Sequence, residues 1–280
     1  MDKRLRQIAD MLLLDGTLTE CPGVIHGKMG IAVFFFHYAQ YTANMLFADY
    51  AMDLIGEMQA QIHNNSSADY ERGIAGIGVG IDYFVSNDFL DADENIFEDF
   101  DQRMYRAVMY DPWQDFSLYN GLTGYGRYWF MRFQQASSDQ SRKCLLQIAE
   151  FIVEKLPDIS AKEQIDVYCF LYELQKISGF DVYAGLWEQC KKWDIHAMDV
   201  RYSFSRLGYS AVGIFTRHYQ LNRYFKGSQS DIINVSLEQL PDMDMDTPPA
   251  DMGLLNGYAG AGMLHLTALN KANTSWMNLL

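Results

Sequence analysis

Five polar residues sit just ahead of glycines in this chain: His26, Arg72, Asn120, Arg206 and Asn256. Side chains of these types gathered at one opening would line a mouth able to bind a polar ligand. His26 would line that mouth, Asp69 is a carboxylate that a carbohydrate hydrolase could use there, and these two are the candidate catalytic residues. Tyr70, Tyr119 and Tyr258 flank the same glycines and would supply aromatic walls. A plainer reading is that the polar groups hydrogen-bond the orphan N–H groups of a helix start, a role that suits asparagine better than Arg72 or His26. Two carboxylates, Asp111 and Asp115, precede the Asn120 turn and could form the acid pair of a glycosidase, or else stabilise a helix N-terminus. The only metal-binding set on offer is Cys21 and His26 in one loop with Cys169 far along the chain. Cys169 lies between aromatics in a helical stretch and reads as a core thiol.

Those residues are positioned by a repeat. His26-Gly27-Lys-Met-Gly30-Ile31, Arg72-Gly73-Ile-Ala-Gly76-Ile-Gly78, Asn120-Gly121-Leu-Thr-Gly124-Tyr-Gly126 and Asn256-Gly257-Tyr-Ala-Gly260-Ala-Gly262 share one shape. The first three are spaced by about 46–48 residues. Stepping on by that period puts one eroded copy near Leu171, and another is Arg206-Leu-Gly208-Tyr-Ser-Ala-Val-Gly213. About six units therefore tile the chain. The turns lack the preceding strand that a phosphate loop requires.

An apolar stretch of helical length follows each motif, as in Ile31–Ala39 and Met263–Leu269. Amphipathic segments such as Met45–Ile62, Ile96–Met109 and Ser141–Leu156 alternate with them. Each unit should supply an outer amphipathic helix, a loop and a buried inner helix. Six such hairpins are expected to close into an all-α (α/α)6 toroid, a single domain spanning residues 1–280; an open superhelix is the alternative. The first glycine is expected to take positive φ, and the second to let backbone approach closely.

Composition narrows the partners. A net charge of −14 argues against a nucleic-acid backbone. No apolar run approaches the ~18–20 residues of a membrane span. The four cysteines are widely spaced, which disfavours a disulfide framework or a zinc knuckle, and the cytoplasm is the expected address. The acidic run Asp242–Asp251 lacks the glycine and closing glutamate of a calcium loop and reads as a linker.

The glycine turns resemble those of the lanthionine synthetase C-like (LanC-like) family over essentially the whole chain. The likeness is strongest at Gly23–Ile31, Arg72–Gly78 and Gly253–Gly262. The resemblance implies an α/α toroid and a place in maturing a ribosomally made peptide. Active members use zinc, held by cysteine and Cys-His motifs, to activate a peptide thiolate. Here the Cys-His-Gly position would fall at Arg206-Leu207-Gly208, and the other cysteine motif at Tyr168-Cys169-Phe170-Leu171, so one cysteine is kept. A family histidine becomes Asn120. The expectation is a zinc-ligand-deficient member, with no cofactor, that binds a peptide substrate or a partner modification enzyme through Arg72, Asn120, Arg206, Asn256, Tyr70, Tyr119 and Tyr258. A six-hairpin carbohydrate hydrolase and a non-catalytic interaction protein are the alternatives.

Overall fold

The computed structural model describes residues 2–63, 65–91, 96–193, 204–225, 235–240 and 251–280. Among these, every regular element is helical, as the apolar periodicity requires. The helices are α1 (Lys3–Asp15), α2 (Lys28–Thr42), α3 (Leu46–Gln61), α4 (Ile74–Ser86), α5 (Glu98–Met109), α6 (Leu122–Gln135), α7 (Asp139–Lys155), α8 (Gln164–Leu174), α9 (Ala184–Cys190), α10 (Ala211–Phe225) and α11 (Tyr258–Ala268). None of the described helices is long and apolar enough to cross a membrane. Residues 242–250 of the acidic run lie outside the described residues.

Burial alternates along the chain. Helices α1 and α5 bury one stripe each, Leu5, Ile8, Ala9 and Leu12 in the first and Met104 and Val108 in the second. Helix α2 is buried on every side from Lys28 to Ala39, and α11 nearly so from Tyr258 to Thr267. A helix apolar all round must be enclosed by others. Lys28, the charged exception in α2, reaches Glu57 of α3.

The described residues form two compact units. One comprises Met1–Ser66, Tyr83–Asp91 and Leu207–Leu280, and the other Ser67–Asp82 and Ala92–Arg206. In the first unit α2 pairs with α3, and α11 packs on both α1 and α2, so the last repeat is neighbour to the first. The chain then closes with a 3-10 turn, Thr274–Leu279, whose Trp276 Nε1 donates to Thr267 Oγ1 at 3.0 Å. In the second unit α6 packs against α7 and α8, and α8 against α9.

The glycine turns work differently from the expectation. Gly27, Gly121 and Gly257 have φ of −122°, −117° and −109°, extended backbone open to any residue. What demands glycine is the loop folding back over the helix start. A Cβ on Gly27, Gly73, Gly121 or Gly257 would collide with the carbonyl oxygen of Cys21, Ser67, Asp115 or Asp251, in each case six residues earlier. The second glycine meets the same obstacle, Gly30 against Val24 O at 2.6 Å. The third takes an aromatic ring from another buried helix: Tyr128 lies over Gly78, Phe170 over Gly126 and Phe34 over Gly262.

These contacts correct the register of the two eroded repeats. Each buried helix begins one residue after its first glycine position, so α8 places that position at Glu163 and the second at Asp166, rather than near Leu171. Phe170 then falls seven residues on, as Phe34 and Tyr128 do after Gly27 and Gly121. For α10 the first position is Ser210 and the second is Gly213, whose Cβ would strike Leu207 O. Gly208, with φ of +62°, belongs to the loop.

Candidate functional site

The folded-back loop settles how the buried helices are capped. Lys28 N donates to Cys21 O at 2.9 Å, Ile74 N to Ser67 O at 2.9 Å and Leu122 N to Asp115 O at 2.8 Å. Ala259 N reaches Met252 O at 3.2 Å. Carbonyls seven residues back thus satisfy the orphan donors that a side chain would otherwise serve. No side chain caps α2, α6 or α11. The side chains of Asn120, Asn256 and Arg72, all exposed, are therefore surplus to helix formation.

Neighbouring turns are stitched together by one recurring bond. In the first unit Leu254 N and Leu255 N both donate to Ile25 O, at 2.9 and 3.2 Å. Ser210 Oγ donates to Leu255 O at 3.0 Å. The turns of the fifth, sixth and first repeats therefore lie side by side, with Gly253 tight against the His26 backbone. His26 Nδ1 bonds Asp251 Oδ2, while Asp251 Oδ1 accepts from Gly253 N at 2.8 Å. Both side chains keep about a fifth to a quarter of their surface exposed. A carboxylate fixing one imidazole nitrogen leaves the other, Nε2, oriented by the pair; such a pair can hold or move a proton.

In the second unit the same stitch joins Tyr70 N and Glu71 N to Tyr119 O, at 2.9 and 3.0 Å. Asp69 is committed to its own turn, accepting from Arg72 N at 2.7 Å and Gly73 N at 3.1 Å. Asp115 likewise accepts from Ser117 N at 2.6 Å. Asp69, Asp111 and Asp115 lie near the phenol of Tyr125, whose pKa is pushed up to about 12 by burial first and by those carboxylates second. Arg72 is exposed beside Glu71.

In the fourth repeat acids replace the glycines and make the stitch with side chains. Asp166 Oδ2 accepts from Leu118 N at 2.9 Å, and Glu163 Oε1 from Phe116 N at 2.8 Å. Arg206 pairs with Asp166, and both are largely buried. Burial pushes the Asp166 carboxyl pKa up, and the Arg206 guanidinium opposes it. Arg206 is thus the counter-ion of a core carboxylate and does not stand at the position held by Asn120 and Asn256; Tyr209 does. Tyr70 and Tyr258 are 0% exposed and Tyr119 is 8% exposed, so all three rings pack in the interior instead of walling a mouth.

The residues do not fit the zinc site of the family resembled. Arg206 is occupied by Asp166, and Gly208 offers no ligand. Cys169 lies within α8, five residues past its start, and not in a turn. Among the described residues no group of three His, Cys, Asp or Glu side chains is placed to hold a metal ion.

In comparison with known proteins, the chain matches no protein-family model and no curated protein. Its functional reading rests on the geometry of the turns. Sequence reasoning named His26 and Asn256 but missed Asp251 as the partner of His26. The shared signal was available: Asp251 and Asp115 both stand six residues before a first glycine.

Proposed function

We propose that this is a LanC-like protein acting, in the cytoplasm, in the maturation of a ribosomally made peptide, and that it binds a peptide segment along the turns of the first unit without zinc chemistry. The carrying observation is that His26 and Asn256 stand on stitched neighbouring turns whose helix starts are already capped by loop carbonyls. Asn256, which caps no helix, and the partly exposed His26–Asp251 pair, presented on adjoining turns, suit hydrogen bonding to an extended peptide. The His26–Asp251 pair would accept or return a proton at a bound side chain. The peptide itself, or a modification enzyme carrying it, is the partner in this reading. The hydrolase alternative has less support, because Asp69 and Asp115 already hold their own turns together.

The test uses labelled synthetic peptides carrying a cysteine and a dehydrobutyrine, with serine-only controls, followed by fluorescence anisotropy. The wild type should bind the cysteine–dehydrobutyrine peptide in preference to the control, with affinity unchanged by a zinc chelator. His26→Gln and Asn256→Ala should each weaken it about tenfold, the scale of losing one or two hydrogen bonds at an interface. Equal binding of both peptides, or stoichiometric zinc in the purified protein, would sink the reading.

A further inference from the structure

We propose that Arg217 anchors a carboxylate-binding subsite in the first unit. Arg217 lies on α10 and is only 5% exposed. Its Nη2 donates to Gly208 O at 2.8 Å, and its guanidinium carbon lies 5.9 Å from the centre of the Tyr209 ring. Its Nε has no hydrogen-bond partner, and Arg217 makes no ion pair with any described carboxylate. The preceding residue, Thr216, has a fully buried hydroxyl that is also without a partner. A buried cation with neither counter-charge nor full hydrogen bonding is costly, and folded chains retain one where something else supplies the anion.

The register sharpens the point. Arg217 stands seven residues after the first-glycine position of its repeat, where α4 carries Gly80 and the other buried helices carry Phe34 in α2, Tyr128 in α6, Phe170 in α8 and Leu264 in α11. Those residues fill the interior. An apolar side chain would do the packing, so the guanidinium is there for its charge. Guanidinium matches a carboxylate in its planar two-point geometry. One arginine in a chain of net charge −14 suits a single carboxylate better than a phosphate chain, which the surrounding field repels. Two groups that Arg217 touches lie in the loop before α10: the Gly208 carbonyl and Tyr209, which is 74% exposed. A side chain on Gly208 would begin 3.9 Å from Asn256 Oδ1, so the subsite adjoins the Asn256 turn. The inference does not need the His26–Asp251 pair to do chemistry.

The probes are an acetylated trialanine with a free C-terminal carboxylate, an amidated analogue bearing one glutamate, and a fully blocked control, all at fixed ionic strength, with inorganic phosphate for comparison. Binding is read by calorimetry and by thermal shift on the full chain. At least one of the two carboxylate peptides should bind the wild type, and which one identifies a terminal or a side-chain carboxylate. Arg217→Leu should lose at least about tenfold of that affinity while melting no lower than the wild type, and Arg217→Lys should fall between. The proposal fails if neither peptide outbinds the blocked control, if phosphate binds as tightly, or if Arg217→Leu keeps the preference. It fails equally if Arg217→Leu and Arg217→Lys both melt well below the wild type without any carboxylate effect, since that marks a structural guanidinium.

Discussion

Gly262, in the last buried helix, lies directly beneath the ring of Phe34 in the first, 228 positions away along the chain, so that a Cβ there would fall 2.5 Å from Phe34 Cδ2. Two other glycine–aromatic pairs, Gly78 with Tyr128 and Gly126 with Phe170, repeat the arrangement. Gly262→Ala should destabilise by about 1–3 kcal/mol, the usual cost of overpacking. Shrinking the ring in the pair Gly262→Ala with Phe34→Leu should recover part of it. Gly260→Ala has no such remedy, because its obstacle is the Leu254 carbonyl. Urea denaturation of the three variants separates the two cases.

Gly56 offers the opposite outcome. It lies inside α3 with nothing within 4 Å of where its Cβ would be. Gly56→Ala should stabilise by about 0.5–1 kcal/mol through helix propensity alone, measurable as a raised melting temperature.

The buried pair Asp166 and Arg206 predicts strong non-additivity. Arg206→Leu strands a carboxylate that Leu118 N holds in place, and should cost about 3–5 kcal/mol. Adding Asp166→Asn should restore much of that loss. A double-mutant cycle in denaturant that came out additive would contradict the pairing.

Asn120→Ala and Asn256→Ala should change stability by less than about 0.5 kcal/mol, because loop carbonyls serve their helix starts. Asp69→Ala, which removes acceptors for Arg72 N and Gly73 N, should cost about 1 kcal/mol.

His37 makes stability sensitive to acid. Buried in α2 beside the Tyr83 hydroxyl, 2.8 Å away, it has a pKa lowered by burial from 6.5 to about 4. The unfolded chain binds this proton near pH 6.5 and the folded one only near pH 4. Stability is therefore complete above pH 6.5 and declines as pH falls toward 4, by about 3 kcal/mol in all. His37→Phe should flatten that part of the profile in melts taken from pH 7.5 to 4.

The four clean turns were legible because their glycines answer to a local constraint, a carbonyl six residues back, that recurs wherever the loop has the same length. Helix type was legible from the same spacing. The eroded repeats were misplaced because loop lengths differ: Glu163 follows Gly121 by 42 residues, and Ser210 precedes Gly257 by 47. The aromatic seven residues past the turn, as at Phe34 and Tyr128, would have placed the fourth repeat through Phe170, but not the fifth, where Arg217 stands. Positive φ was the wrong reason for the first glycines, since steric closeness leaves no conformational mark in composition. Arg206 looked like a turn residue by its neighbour Gly208, and only its partner Asp166, 40 positions away, shows it to be a core ion.

The stitching of the first repeat to the last bears on how the chain must be made. Helix α2 carries apolar surface on every side, yet Leu254 and Gly262, which cover part of it, are synthesised some two hundred positions after it. Until they emerge, that helix waits with part of its greasy surface uncovered. A chain cut short before residue 254 should cling to chaperones or precipitate instead of folding in part.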